Sequence, residues 1–312
     1  MRNSKAVTLL FAFLLTGCAT LSTPPIPTNA LGEYQQTIEQ LRVESDKALS
    51  LEYDLAYESY LARTKLTAGL DAEPFKLVFP SGDFDWQIGS NPDDQAEFVA
   101  IGNSRRQLNS LHQVLLDYIA VLAQLNTAGT QAEERVKAAT EKMTSSVSSL
   151  ATLFGSPVNE TNLGLFGLTA DAIAAKIIER KQNSSMAEVM SDFQPGVEKI
   201  ANLAAFAVAV SASGIKLPYQ NQAQIIALKL TTATGSDQQK FLEQLLALND
   251  RTTEQLDLLR QLEIAYNALP GGHLNLIEAQ RSGSTVNLTS IIASINAIAD
   301  IRAKLTLRAD KG

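Results

Sequence analysis

Ile101, Leu108, Leu115 and Leu122 recur at every seventh residue, and Leu111, Tyr118 and Leu125 fill the second apolar position between them. Sevenfold spacing puts all of these on one stripe of an α-helix. Such a stripe must lie against another helix to leave water. The start of this helix is marked as well. Ser90 or Asn91 can cap it, Pro92 suits its first turn, and Asp93, Asp94 and Glu97 favour its positive end. Thr130-x-x-Glu133 reads as a capping box for a continuation through Phe154, after an interruption near Gly129.

Similar periods run through the rest of the chain. Tyr34, Ile38, Leu41, Ala48 and Leu55 share a helical face between Glu33 and Leu70, flanked by a stripe of Tyr53, Tyr57 and Tyr60. That stripe reads as half-buried packing between helices. A short helix is expected from Thr169, with Ile173, Ile177 and Ile178 on one side. Ser185-x-x-Glu188 is a further capping box, and Pro195-Gly196 marks a restart or kink. A helix is expected from Pro218 to about Ala233, broken at Gly235-Ser236. Leu242, Leu245, Thr252, Leu256, Leu259 and Tyr266 form a second seam, expected to stop at Pro270-Gly271-Gly272. Leu288, Ile291, Ile295, Ile298 and Leu305 share a face of the last helix. Residues 71–94 break the pattern with Pro74, Pro80, Gly82, Gly89 and Pro92, and a short hairpin of 76–79 with 84–88 is conceivable there. The expectation is an all-α fold: an elongated bundle of coiled-coil-like helices, forming a single domain over 33–312.

Composition agrees. Hydrophobic residues make up 45% of the 312 and charged residues 19%, enough to bury a core and too apolar for global disorder. The net charge is −7. The basic residues are scattered, so the acidic surface repels nucleic acid and offers it no patch.

The amino terminus carries the most specific motif. Arg2 and Lys5 precede an apolar run, Ala6 to Leu15, too short to span a bilayer as an ordinary helix. It ends in Leu15-Thr16-Gly17-Cys18, and Cys18 is the one cysteine of the chain. This segment resembles the lipobox of bacterial lipoproteins. The resemblance implies cleavage between Gly17 and Cys18, a diacylglycerol on the Cys18 thiol, and acylation of the new amino group. Residues 1–17 would then be a signal peptide, and their loss would take the net charge from −7 to −9, because they hold Arg2, Lys5 and no acid. In the same family, Asp after the cysteine retains the protein in the inner membrane. Ala19 departs from that, which points to the outer membrane, periplasm-facing, with a surface-facing orientation left open. Residues 18–32, with Pro24, Pro25 and Pro27, read as an extended tether of about 40 Å.

Catalytic motifs are missing from the linear sequence. His112, beside the Leu111 seam, reads as a flank residue, and His273 as a helix-terminus residue. Asp83, Asp85, Gln87, Asn91 and Asp94 follow an EF-hand-like spacing, but Ile88 stands where the sharp turn needs glycine and Asp94 where glutamate is usual. The favoured reading of Asp83, Asp85 and Asp94 is therefore a solvated loop rather than a calcium site, and no cofactor is expected beyond lipid on Cys18. Residues 200–215 contain no charge. A buried central helix is the favoured account, and a membrane-inserting element the sharper one. The function expected is a non-enzymatic envelope scaffold or binding protein with a protein partner. The alternatives are a membrane-active helical protein, which would resemble the elongated helical pore-forming toxins, and an enzyme whose acids meet only in the fold.

Overall fold

The structure, a computed structural model, describes residues 28–67, 92–126, 132–153 and 186–309. Among them are seven helices and no strand: α1 (Thr28–Thr67), α2 (Pro92–Asn126), α3 (Ala132–Leu153), α4 (Met186–Gly214), α5 (Lys216–Thr232), α6 (Ser236–Ser282) and α7 (Thr289–Ala309). The protein is an all-α bundle. The segment read as a signal peptide with Gly17 and Cys18, the loop expected at Asp83 and Asp85, the helix expected from Thr169 and the cap expected at Ser185 lie outside the described residues.

α1, α2, α4 and α6 surround the core, α3 flanks α2, and α7 lies along α6 and α1. Cross-contacts set the directions. Asp46 of α1 meets Arg105 and Asn109 of α2, while Tyr53 lies under Gly102. As α1 advances, α2 recedes, so the pair is antiparallel. Ser45 and Tyr34 meet Tyr266 and His273, so α1 and α6 are antiparallel too. α6 has 47 residues and is about 70 Å long at 1.5 Å per residue.

The seams of α1, α2 and α7 are placed as the periodicity predicts, whereas in the seam of α6 Leu259 and Tyr266 are buried, Leu245, Thr252 and Leu256 are half-buried and Leu242 is exposed. Ile101, Leu108, Leu111, Leu115, Tyr118 and Leu122 are buried, as are Tyr34, Ile38, Leu41 and Ala48. So are Leu288, Ile291, Ile295, Ile298 and Leu305 on and beside α7. α1 starts at Thr28, inside the stretch expected to be tether, because Ala30 and Leu31 have core to pack against.

Neither Pro195-Gly196 nor Pro270-Gly271-Gly272 ends a helix. α4 continues through Pro195. α6 runs through Pro270-Gly271-Gly272 and ends at Gly283, whose φ of 70° and N–H bond to the Ala279 carbonyl form a left-handed cap. Intrinsic propensity charges about 3 kcal/mol for a proline and about 1 for each glycine. Gly272, His273, Leu276 and Ile277 are all buried on the far side of that proline, and their burial outweighs it. Asn287 then caps α7, its Oδ1 accepting from the Thr289 N–H at 3.2 Å.

The two glycines should respond oppositely to alanine. A Cβ on Gly272 would sit 2.7 Å from Ile291 Cδ1, so α6 and α7 approach there only because the side chain is absent. A Cβ on Gly271 meets nothing within 4 Å. Gly272→Ala should destabilise by about 1–3 kcal/mol through overpacking. Gly271→Ala should stabilise by up to about 1 kcal/mol by helix propensity. Urea unfolding of the two variants checks the pair; equal signs would contradict the packing.

Candidate functional site

Polar side chains lie in the core at three levels. At the first, each of the four central helices contributes one: Tyr34 (α1), Tyr118 (α2), Gln194 (α4) and His273 (α6). His273 Nδ1 donates to Gln194 Oε1 at 2.7 Å, and Tyr118 Oη donates to His273 Nε2 at 2.9 Å. Gln194 Nε2 donates to Glu198 Oε1 at 3.0 Å and to the Pro270 carbonyl at 3.4 Å. This pattern sets the neutral tautomer with the proton on Nδ1. Phe193 stacks on Tyr118 with ring centres 3.8 Å apart. The Tyr34 hydroxyl is buried beside His273 without a hydrogen bond.

The second level joins Ser45, His112 and Tyr266. Ser45 Oγ gives its proton to the Leu41 carbonyl at 2.6 Å and so accepts from Tyr266 Oη at 2.7 Å. Tyr266 in turn accepts from His112 Nε2 at 3.3 Å. Both histidines are buried, correcting the flank and terminus readings. Burial without a counter-charge pushes each from its ordinary value of 6.5 down to about 4, with the Leu108 carbonyl opposing weakly at His112. They are neutral hydrogen-bonding groups at neutral pH. Burial also pushes the phenols of Tyr34, Tyr118 and Tyr266 well above their ordinary value, so all three keep their protons.

The third level is less complete. Glu52 of α1 is fully buried, and neither carboxylate oxygen has a hydrogen bond. Tyr219 of α5 is buried within reach of the Glu52 charge, and Gln255 of α6 is buried with its Oε1 likewise without a hydrogen bond. Burial drives Glu52 up to about 8, while the positive charge of Arg251 pulls the other way. Its carboxyl is thus protonated at neutral pH.

The first level reaches the surface in a groove of about 420 Å³ between α4 and α6. Gln194 is one of its lining residues. Arg281, which donates to Ser191 Oγ at 3.1 Å, lines it together with Glu278 and Leu274. Around the core, charged clamps hold helices in place. Arg105 grips both oxygens of Asp46, whose carboxyl is held below its ordinary value by that bond, against burial and with help from Asn109. Burial alone would raise Glu44, but its bonds to Lys47 and Arg302 lower it. Buried Asp117 of α2 accepts from Ser146 and Lys142 of α3 at 2.6 and 2.9 Å.

Of the residues singled out by sequence, Asp94 lies in the first turn of α2. Residues 200–215 form the second half of α4 up to Ile215. Ile200, Ala201, Ala204, Ala207, Val208, Ser211 and Ile215 are buried, whereas Phe206 is 62% exposed on the opposite face. Sequence reasoning missed Gln194 and Glu52. Glu52 stands seven residues after Ser45 and fourteen after Ile38, both buried, and that register is the signal that marks it.

Comparison with protein-family models, with curated proteins and with solved structures finds no match to this chain.

Proposed function

We propose that the chain is an outer-membrane lipoprotein, anchored through Cys18, whose periplasmic bundle is a non-enzymatic scaffold or binding protein of the cell envelope. The observation that carries this reading is Leu15-Thr16-Gly17-Cys18 at the end of a short apolar run. Two or more acyl chains on one residue bind a membrane firmly at about 0.8 kcal/mol per buried methylene. α1 begins at Thr28, soon after the cysteine, so the bundle would stand close to the lipid surface. At the first two levels the core polar groups are neutral and most of them pair with one another, the Tyr34 hydroxyl and His112 Nδ1 excepted, as befits a scaffold more than a reaction centre. The groove beside Gln194 is the place where a polypeptide partner would bind, and nucleic acid is no partner for so acidic a surface. Labelled palmitate should enter the wild-type chain in a Gram-negative host and not Cys18→Ser, with the intact mass showing loss of residues 1–17. A bare thiol on an uncut chain would end the reading.

The exposure of Phe206 favours a second reading, in which the outer face of α4 enters a bilayer. The stretch Met186–Thr232 is long and apolar enough to cross a membrane, by length and composition alone. Phe206→Ser removes an exposed side chain and should leave stability within about 0.5 kcal/mol. If the wild-type chain makes liposomes leak and this variant does not, membrane activity replaces scaffolding as the function. If neither leaks, this second reading fails.

A further inference from the structure

From Gln220 to Glu254 no side chain is buried, although both flanks of this stretch join the core. α5 and the first half of α6 pack on each other, and α5 also touches α1. The connection between them turns at Gly235, whose φ is 60°. Leu228 is 69% exposed, Leu242 48% and Leu246 68%. The sevenfold seam of α6 runs into the same stretch. Its later members, Leu259, Tyr266, His273 and Gln280, are buried, while Leu245 and Thr252 upstream are only half-buried. The seam outlasts the bundle that covers it.

Charge narrows what could complete it. Lys216, Lys229, Lys240 and Arg251 balance Asp237, Glu243, Asp250 and Glu254, in a chain of net charge −7. Between Leu217 and Ser236, Lys229 is the only charge. A basic partner would gain more from the acidic remainder of the surface, and anionic lipid finds no positive excess here. Charges of both signs, Lys240, Glu243 and Asp250, flank Leu242 and Leu246 and disfavour insertion into a lipid interior. A balanced face with apolar centres is complementary to itself, and it lets two acidic molecules approach without strong repulsion.

We propose that the hairpin of α5 and the first half of α6 is a homodimer interface, in which a second copy lays its own Leu228, Leu242 and Leu246 against these. Two helices side by side, each about 25 Å long and 10 Å across, offer roughly 500 Å² per copy. The total of about 1,000 Å² lies at the lower bound of specific interfaces, so association is micromolar rather than permanent. This pairing does not depend on the lipid anchor.

The test uses the full chain with Cys18→Ser, which removes both the anchor and the native thiol. Light scattering from low to high micromolar concentration should show the mass rising from monomer towards dimer. Leu242→Gln with Leu246→Gln should raise the dissociation constant by about tenfold or more, with the helical signal unchanged. Leu246→Cys should form a disulfide-linked dimer under mild oxidation, and Ile292→Cys, a 41% exposed site on α7, should not. That second arm decides even if the double variant folds poorly. A monomer at every concentration would overturn the proposal, as would a dimer that the double variant leaves intact. A Leu246→Cys thiol shielded from maleimide in a monomer would place another part of the same chain over the face. Vesicle binding that depends on Leu242 and Leu246 without dimerisation would assign the face to lipid.

Discussion

Replacing Glu52 by glutamine should stabilise the bundle by on the order of 4 kcal/mol at pH 8 and by almost nothing at pH 4. The folded carboxyl holds its proton up to about pH 8, because burial disfavours the anion, whereas the unfolded group releases it near the ordinary 4.5. The folded pKa is raised, so this group's contribution is fully present below pH 4.5. It is lost as pH rises from 4.5 to 8, where the unfolded chain ionises and the native one does not. Glutamine is uncharged throughout and removes that loss. Arg251 partly offsets the burial, so Arg251→Met should enlarge the gain. Urea midpoints of the four chains at pH 4, 6 and 8 give the cycle. A destabilised Glu52→Gln at pH 8 would mean that the native carboxylate is ionised and held by a partner.

Acidification should act on the histidines in the opposite direction. Their folded values of about 4 lie below the ordinary 6.5, so the unfolded chain takes up protons first as pH falls. Stability from this source is intact above pH 6.5 and lost between 6.5 and 4, at about 3 kcal/mol for each histidine. In the wild-type chain Glu52 offsets roughly half of the sum over that window. In the Glu52→Gln background the whole fall, on the order of 6 kcal/mol, should appear between pH 7 and pH 4. The variant starts above the wild-type chain at pH 7 by what the Glu52 carboxyl costs there, so the two should converge on the same stability near pH 4. Adding His112→Asn and His273→Gln should flatten the acid limb while lowering stability at pH 7, because Tyr118 then loses its acceptor and Tyr266 its donor, keeping only Ser45. An acid limb unchanged by removing both histidines would show that they titrate normally.

These residues also show where a sequence can be read and where it cannot. The α2 and α7 faces were legible because each is a clean apolar period on a polar background. His273 was hidden by a local rule. Pro270-Gly271-Gly272 argues for a helix end, yet the seam of Leu259 and Tyr266 continues without a phase change to His273 and Gln280. Burial along the whole seam exceeds the cost of one missing N–H and two flexible residues. The register was the better guide than the punctuation. Glu52 sits among Glu44, Asp46 and Asp54, and nothing in its own neighbourhood separates it from solvated acids. Its identity as a core group depends on α5 and α6, far away in the chain, coming to lie over it. The groove beside Gln194 has the same origin, since α4 and α6 contribute to it from opposite directions.

The antiparallel course of α1 along α6 has a mechanical consequence. A pull on the start of α1, resisted at the distant hairpin, is directed along the helix axes. Such a load shears the Tyr34–His273 and Ser45–Tyr266 levels together instead of peeling them one after another. Resistance to stretching is then shared across the length of the molecule, and it yields in a single step rather than by gradual unzipping.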